Sequence, residues 1–252
     1  MHETEKESRM QKKILSVTEN RQIASQMMQM RLEGDGLMFS PGQFLNLKLD
    51  GCFLRRPISV ADATENEVTI LYKIVGRGTG QLAEIRPGAK LDVLCSLGNG
   101  YDLCKAGSHP LLVGGGAGVP PLYFLARKLR EQGLEVTVVM GFGSAADVFY
   151  VSEFERLGCR VSLATVDGSA GMRGFVTDLF PESYSYIYTC GPLPMLKAVY
   201  DKSRTSGQFS FEERMGCGFG ACMGCTCKTK SGPKRICREG PVLEKEEIVW
   251  DD

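Results

Sequence analysis

Apolar and polar residues alternate over short distances in the first hundred positions of the chain. Turn signals such as the pairs of glycines at 34–36 and 98–100 break this pattern at regular intervals. The segments predicted as strands are 14–18, 43–49, 58–61 and 68–75. One helix is predicted at 79–85, where a Pro-Gly pair follows. Several short strands separated by turns predict an N-terminal antiparallel β-barrel.

The pattern changes near residue 108, after which apolar strands alternate with amphipathic helices. The predicted strands are 109–113, 135–140, 161–165 and 186–189. The predicted helices are 122–132, 154–157 and 195–203. Alternation of this kind predicts an α/β domain built on a parallel sheet with right-handed crossovers.

A third region, residues 211–252, is rich in Gly and Cys and has little periodicity. It is too short to build an apolar core of its own, so another interaction must hold it together. The predicted organisation is therefore a β-barrel domain at 1–104, an α/β domain at 105–210 and a small C-terminal segment at 211–252.

Composition narrows the class of protein. The 30 basic and 30 acidic residues cancel, which argues against a nucleic-acid-binding surface or an anionic membrane partner. The apolar runs are too short to span a bilayer, and residues 1–13 lack the apolar centre of a signal peptide. These features predict a cytoplasmic protein. Five of the ten cysteines fall between Cys217 and Cys237, which indicates metal ligation rather than a disulfide framework.

The clustered cysteines have the spacing of plant-type ferredoxins, C-x4-C-x2-C followed by a distant fourth Cys. This pattern predicts a [2Fe–2S] cluster held by Cys217, Cys222, Cys225 and Cys237. Four nearby glycines are expected to let the backbone wrap closely around it, at dihedrals that other residues avoid, and to point N–H groups at the sulfurs: Gly216, Gly218, Gly220 and Gly224.

Two other metal centres use some of these residue types. Zinc also takes four thiolates, but usually from two separated pairs rather than three in one loop. A Rieske centre needs two His ligands, and His2 and His109 are far away in the sequence. Cys227 competes for a ligand position, and we interpret it as a buried non-ligand on a strand at 226–229, although the spacing excludes it only weakly.

Two segments of the barrel region carry candidate phosphate-binding chemistry. In the first, an arginine precedes a strand: Arg56, Pro57, Ile58 and Ser59. A guanidinium can form paired hydrogen bonds with a pyrophosphate, and Ser59 adds a hydroxyl. The second ends at a helix start: Leu71, Tyr72, Lys73, Gly78 and Thr79. There Tyr72 is expected to pack on an aromatic ring of the ligand. Taken singly, each segment is more often an ordinary solvated turn.

A glycine-rich turn between the strand at 109–113 and the following helix predicts a dinucleotide site. Its members are Gly114, Gly115, Gly116 and Gly118. Cys190 and Gly191 follow a later strand, at the carboxyl edge of the same sheet, where such folds bind ligands. The alternatives are a tight turn and a buried Cys. Because residues 140–150 contain no Arg or Lys, we expect NAD(H) rather than NADP(H).

Together these motifs resemble the ferredoxin–NADP⁺ reductase superfamily over residues 14–210. With the cysteine segment included, the whole chain resembles the electron-transfer subunits of class 1B dihydroorotate dehydrogenases. That resemblance implies FAD at the two barrel segments, a [2Fe–2S] cluster on the four cysteines and NAD(H) as substrate. It also implies an FMN-containing catalytic partner in a heterotetramer with two of each subunit.

The implied activity is electron transfer between a dihydroorotate-oxidising partner and NAD⁺ in pyrimidine biosynthesis. No nucleophile or acid–base pair stands out, so no catalytic residue is predicted and the cofactors carry the chemistry. Two alternatives remain open. One is the small subunit of a sulfide- or ferredoxin-linked NAD(P)H oxidoreductase. The other is a zinc-stabilised nucleotide-binding regulator without redox turnover.

Overall fold

A computed structural model describes residues 10–250. His2 and most of the segment at 1–13 therefore lie outside the described residues, as do 251–252. The strands are β1 Gln11–Ala24, β2 Met27–Glu33, β3 Phe44–Leu47, β4 Arg56–Ala63, β5 Glu67–Lys73, β6 Lys90–Leu97, β7 Leu111–Gly115, β8 Thr137–Phe142, β9 Arg160–Thr165, β10 Met172–Arg173, β11 Ile187–Cys190, β12 Gly207–Ser210, β13 Thr226–Thr229, β14 Gly232–Arg235 and β15 Val242–Glu244. The α-helices are α1 Arg77–Ala83, α2 Val119–Glu131, α3 Val151–Arg156 and α4 Leu193–Lys202. Short 3₁₀ turns lie at Leu103–Lys105, Gly116–Gly118, Ala145–Asp147, Val176–Leu179 and Lys245–Glu247.

The first six strands form the predicted barrel. They close in the order β1-β2-β5-β4-β3-β6, and the neighbouring pairs are antiparallel. Leu45 and Leu47 on β3 are fully buried in the barrel interior, and Phe44 and Asn46 alternate with them on its outer face. Strands β2 and β6 were not predicted. Strand β2 contains three Met and no β-branched residue, so its sequence carries little strand signal.

The second sheet has the order β10-β9-β8-β7-β11-β12-β15. The pairs from β10 to β12 are parallel, which confirms the predicted α/β domain. Strand β15 pairs antiparallel with β12 and comes from the C-terminal segment. This last strand was not predicted from the sequence, because three residues are too few to show a period.

Helix α2 begins at Val119, three residues before the predicted start. The difference arises from Pro120 and Pro121, which occupy its first turn. Proline is tolerated there because the first N–H groups of a helix have no intrahelical acceptor. Helix α4 likewise begins before the predicted residue 195, with Pro194 in its first turn.

The C-terminal segment packs on both larger units. Cys225, Ile236 and Cys237 are almost fully buried and share a core with Phe44 of the barrel and Phe209 of the sheet. This packing agrees with the prediction that the segment has no core of its own. Strand β15 of this segment belongs to the second sheet. The domain boundaries at 104 and 210 stay predictions.

Side chains also join the barrel to the α/β domain. Asp62 on β4 forms an ion pair with Arg127 on α2 at 2.6 Å. The hydroxyl of Tyr150 donates a hydrogen bond to Gln29 Oε1 on β2 at 2.8 Å. These contacts fix the barrel against the α/β domain. The candidate flavin segments on the barrel and the candidate nucleotide segments on the second sheet therefore keep a defined relative position.

Candidate functional site

The loop that carries the first three predicted cluster ligands directs backbone N–H groups at sulfur. Cys217 Sγ accepts from the N–H groups of Phe219, Ala221 and Cys222 at 3.5, 3.2 and 3.4 Å. The N–H of Gly224 points at Cys222 Sγ at 3.5 Å. Such donors stabilise a thiolate, and the sequence analysis expected them in this loop.

A further backbone donor points at the third predicted ligand: the N–H of Cys237 lies 3.4 Å from Cys225 Sγ. Burial raises the pKa of the Cys217 thiol, but the backbone donors outweigh it and lower the pKa to about 6. Burial and the neighbouring Cys225 raise the pKa of Cys237 to about 12. Metal coordination deprotonates thiols, so a bound centre would offset the cost of placing these thiolates together.

The thiols fall into two neighbouring pairs, Cys217 with Cys222 and Cys225 with Cys237. Within residues 10–250, no three His, Cys, Asp or Glu side chains are gathered as they would be around a bound ion. The four-cysteine ligand set therefore stays a prediction.

Two of the four loop glycines have the conformation that the sequence analysis expected. Gly218 and Gly220 lie at φ of +80° and +91°, in the left-handed region that favours glycine. Gly216 and Gly224 do not, and the expectation of unusual dihedrals was wrong for them. Cys227 lies on the predicted strand, now β13, and is half-buried rather than fully buried.

The two predicted flavin segments meet in the structure. The guanidinium of Arg56 lies against Gly78, where an added Cβ would overlap Nε and lie 2.8 Å from Cζ. The preceding Arg55 forms an ion pair with Asp92 at 2.8 Å and donates to the Asp92 carbonyl. Arg55 is therefore held within the barrel, whereas Arg56 donates through Nη1 to the Leu54 and Arg55 carbonyls at 2.6 and 3.3 Å.

The register of β3 and β4 places the other members of the first segment. Phe44 pairs with Ser59 and Asn46 with Pro57, so these four side chains share the outer face of the barrel. Ile58 alternates with them and packs toward the barrel core. Ser59 and Pro57 thus stand on the face where the C-terminal segment packs.

The second flavin segment departs from expectation at Tyr72. Its ring is buried in the barrel core and its hydroxyl donates to Asn20 Oδ1 at 2.8 Å. Burial raises the pKa of Tyr72 to about 12, against the opposing hydrogen bond to Asn20. The expectation that this ring packs on a bound aromatic ligand was therefore wrong.

The end of β5 beyond Ile70 is not paired with β4, although Leu71 and Tyr72 are buried. Pairing of β5 with β4 ends at Ile70, so Leu71 and Lys73 have no register partner there. Thr79 Oγ1 accepts from the N–H groups of Val75 and Gly76 at 2.9 and 3.2 Å. Its hydroxyl orders the turn before α1.

The two predicted nucleotide segments also come together, on adjacent strands. Cys190 on β11 is in register with Gly114 on β7. A Cβ on Gly118 would overlap the Cys190 carbonyl, and one on Gly115 would overlap Met195 Sδ. Gly116 adopts φ of +50° between them, and Gly191 continues the facing turn. These glycines permit a close approach of two loops at the carboxyl edge of the sheet, which is where dinucleotides bind in such folds.

The environment of Cys190 includes residues that the sequence analysis missed. Ser210 is its register partner on β12, and Tyr101 donates to the neighbouring Thr189 carbonyl at 3.1 Å. Burial raises the pKa of Cys190 to about 12, although a hydrogen bond with Ser210 opposes the rise. Cys190 is a neutral thiol near pH 7. No sequence signal linked these residues, since they come from distant parts of the chain.

Comparisons with known proteins agree with this geometry. Residues 212–249 match the model for the iron–sulfur cluster binding domain of dihydroorotate dehydrogenase B. A protein from Shouchella clausii (strain KSM-K16), named dihydroorotate dehydrogenase B (NAD(+)), electron transfer subunit, is 45% identical over 93% of this chain and 97% of its own length. The chain belongs to this family of electron transfer subunits. A family member of the same name from Fusobacterium nucleatum is 43% identical over 90% of this chain and 94% of its own.

Two solved structures have a fold similar to that of this chain. The NADH-dependent reduced ferredoxin–NADP oxidoreductase has a TM-score of 0.85 and 30% identity, covering 94% of this chain and 90% of its own. The ferredoxin reductase of a carbazole 1,9a-dioxygenase has a TM-score of 0.69 at 23% identity, with 77% of this chain and 65% of its own covered, and shows the fold alone. Between residues 10 and 250, no helix has the length and apolar character needed to cross a membrane.

Proposed function

We propose that this family member passes electrons between a dihydroorotate-oxidising flavoprotein and NAD⁺, through a [2Fe–2S] cluster and FAD. The observation that carries the proposal is the packing of the four-cysteine segment on the barrel face that presents Pro57 and Ser59. The 45% identity to a dihydroorotate dehydrogenase B electron transfer subunit supports the choice of partner. The proposed place of this reaction is pyrimidine biosynthesis in the cytoplasm.

Arg56 and Ser59 are the side chains proposed to hold the FAD pyrophosphate and ring. The guanidinium supplies paired donors for phosphate oxygens, and the hydroxyl of Ser59 lies on the outer barrel face. Pro57, Ile58 and Thr79 shape the segments around them, while Leu71, Tyr72 and Lys73 contribute backbone groups from β5. Gly78 leaves the space in which the Arg56 guanidinium lies.

The cluster is proposed to bind Cys217, Cys222, Cys225 and Cys237, with Cys227 outside the ligand set. The backbone N–H groups of residues 219, 221 and 222 favour the charged form of the first ligand. When bound, flavin exchanges two electrons with a nicotinamide and one at a time with an iron–sulfur cluster.

NAD(H) is proposed to bind at the carboxyl edge of the second sheet, over Gly114, Gly115, Gly116 and Gly118. Cys190 and Gly191 close this site from the neighbouring loop. Because the thiol is held neutral, Cys190 contacts a nicotinamide without adding a negative charge. No residue here acts as nucleophile or general base, and the role of the chain is to bind, orient and exclude water.

The partner is proposed to be an FMN-containing catalytic subunit, in a heterotetramer of two copies of each chain. The family's designation as an electron transfer subunit supports the need for a partner. Met223 and Phe219 are exposed apolar residues in the cysteine loop, where such a partner would approach the cluster.

The test is dihydroorotate-dependent reduction of NAD⁺ by this chain together with a dihydroorotate dehydrogenase B catalytic subunit. We expect orotate and NADH in equal amounts, with no NADH formed when either chain is omitted. The purified chain should contain FAD, iron and acid-labile sulfide. The two chains together form orotate with an artificial electron acceptor if the active site of the catalytic subunit is intact. Orotate formation under those conditions, with no NADH formed from NAD⁺, would contradict the proposal.

A second candidate is the small subunit of a ferredoxin-linked NAD(P)H oxidoreductase, which the TM-score of 0.85 to such an enzyme favours. It keeps the same cofactors and changes the partner. NAD(P)H-dependent reduction of ferredoxin, with no coupling to dihydroorotate, would support this candidate. A colourless protein that contains zinc would support the non-redox regulator instead.

A further inference from the structure

One peptide group of the cysteine loop is held at both of its ends. The N–H of Ala221 donates to Cys217 Sγ at 3.2 Å, the shortest of the three backbone contacts to that sulfur. The carbonyl of the same peptide group belongs to Gly220 and accepts a hydrogen bond from Arg235 Nη1 at 2.8 Å. Because a trans peptide group is planar, with its C=O and N–H on opposite sides, a donor fixed on the carbonyl also directs the N–H toward the sulfur.

The orientation of this peptide group depends on the glycine at position 220. Gly220 has a φ of +91°, in the left-handed region that favours glycine. A Cβ there would lie 2.7 Å from Arg238 Cδ and 3.3 Å from Arg235 Nη1. The loop backbone therefore lies directly against two arginine side chains.

The guanidinium of Arg235 is held in place by Glu239. Its Nε donates to Glu239 Oε2 at 2.9 Å, and its Nη2 donates to Oε1. The backbone N–H of Arg235 donates to the same carboxylate at 2.9 Å. A bidentate pair of guanidinium and carboxylate has a defined plane. Nη1 takes no part in that pair and is thereby held on the Gly220 carbonyl.

Arg235 also links the parts of the chain that carry the predicted cluster ligands. It lies on β14, where its register partner is Thr226, the residue after the third predicted ligand. Cys237, the fourth, is two positions further along the chain. The side chain of Arg235 reaches the loop that carries the first two. From the barrel side, Asn46 Nδ2 donates to the Cys217 carbonyl at 3.3 Å, so this loop is held from two directions.

The potential of an iron–sulfur cluster depends on the hydrogen bonds to its sulfurs and on its charge. A charged donor on a carbonyl polarises the peptide group, so the N–H of that group becomes a stronger donor. We propose that Arg235 is a positioning residue for the cluster, which acts on Cys217 through the peptide group between Gly220 and Ala221. It directs the N–H at the sulfur and favours the reduced cluster, which carries one more negative charge than the oxidised cluster.

This proposal rests on the proposed function, since it requires a cluster on the four cysteines. In the step concerned, the oxidised cluster takes up one electron from the reduced flavin. No bond to Arg235 forms or breaks. Loss of the guanidinium is therefore expected to change the potential of the cluster and not the number of electrons that it accepts.

The test compares the full-length holoprotein with Arg235→Gln, which removes the charge and the fork of donors. The cluster is titrated anaerobically with dithionite and redox mediators, and its reduction is followed by EPR. We expect normal iron content and a lower midpoint potential. The equilibrium constant for one-electron reduction should fall by up to about 10-fold, which corresponds to about 59 mV.

The hydrogen bond to sulfur is measured separately from the potential. Ala221 is the only alanine in residues 211–252, so labelling with ¹⁵N-alanine marks its amide nitrogen within this segment. Pulsed EPR of the reduced cluster then reports the hyperfine coupling of that nitrogen. We expect a weaker coupling in Arg235→Gln, because the N–H is no longer directed at Cys217. A wild-type coupling or a wild-type potential in this variant would overturn the proposal.

The matched control is Arg238→Gln. Arg238 carries the same charge, follows Cys237 directly and has its Cδ close to Gly220. It is exposed, and the hydrogen bond to the Gly220 carbonyl comes from Arg235 instead. Its loss should leave the Ala221 coupling unchanged and lower the potential by less than Arg235→Gln does. An equal fall in potential in the two variants would overturn the proposal, because charge alone would then account for it.

Arg235→Lys carries the test if glutamine prevents cluster assembly. A single ammonium keeps the charge but lacks the planar fork that binds Glu239 and the Gly220 carbonyl together. We expect a potential and an Ala221 coupling below those of wild type, and wild-type values of both would refute the proposal. Loss of iron in both Arg235 variants would show that Arg235 acts in cluster assembly and would refute a role in setting the potential.

Failure of the proposed function gives a different result. Wild-type protein would then lack acid-labile sulfide, or it would hold a cluster that can be titrated but would not couple dihydroorotate to NAD⁺. The potential and the hyperfine coupling are measured without the partner subunit, so the two failures are separate.

Discussion

The contact between Gly78 and Arg56 allows flavin binding to be perturbed without disturbing the fold. Gly78 lies in α1 and outside the left-handed region, so its backbone accepts alanine. The added Cβ would overlap Nε of Arg56 and lie 2.8 Å from Cζ and Nη2. Ordinary carbon contacts begin near 3.5 Å, so the guanidinium must move by on the order of 1 Å.

That displacement sets the expected magnitude. A hydrogen bond to a charged group contributes about 1.5–3 kcal/mol, so its loss weakens FAD binding about 10- to 150-fold. The atoms displaced are at the end of a flexible side chain, and alanine is better than glycine in a helix by about 0.5–1 kcal/mol. Gly78→Ala should therefore bind FAD more weakly while its apoprotein unfolds at the same or a slightly higher temperature.

The assay is titration of apoprotein with FAD, followed by flavin fluorescence, beside thermal unfolding of the same samples. Gly80→Ala is the matched control, because it lies in the same helix and its Cβ would meet nothing within 4 Å. Arg56→Ala should weaken FAD binding by the same amount, and the double variant with Gly78→Ala should add little. Wild-type affinity in Gly78→Ala, or equal loss in Gly80→Ala, would refute the role of Arg56.

Three further outcomes are expected. Cys222→Ser should lose iron and labile sulfide while retaining FAD, and normal iron content would contradict the ligand set. Gly118→Ala should cost about 1–3 kcal/mol in urea unfolding and raise the KM for NADH, because its Cβ overlaps the Cys190 carbonyl. Burial raises the pKa of Glu244, but hydrogen bonds led by that from Lys105 leave it lowered. Its stabilising effect is therefore present at neutral pH and lost as pH falls, so Tm should fall less steeply in Glu244→Gln than in wild type between about pH 5 and pH 3.

Local patterns in the sequence were enough to predict the architecture and the main motifs. The alternation of short strands predicted the barrel, and the change of period near residue 108 predicted the α/β domain, both confirmed by the strand orders. The predicted starts of α2 and α4 were too late, because the predicted helices begin only after the prolines that occupy each first turn. The fate of Tyr72 was also mistaken, since a β-strand sequence does not say which face of a closed barrel is filled by its own core.

The sequence by itself determined which residues are predicted to carry cofactor chemistry, because the cysteine spacing and the glycine-rich turns are local features of the chain. Only the tertiary structure decided how these features meet. Asn46 and Cys217 are 171 positions apart, and their contact follows from barrel closure and from the docking of the C-terminal segment through β15. A single polar residue among strand leucines carries no signal of its distant partner. Its role depends on which surface covers it, and packing between units settles that.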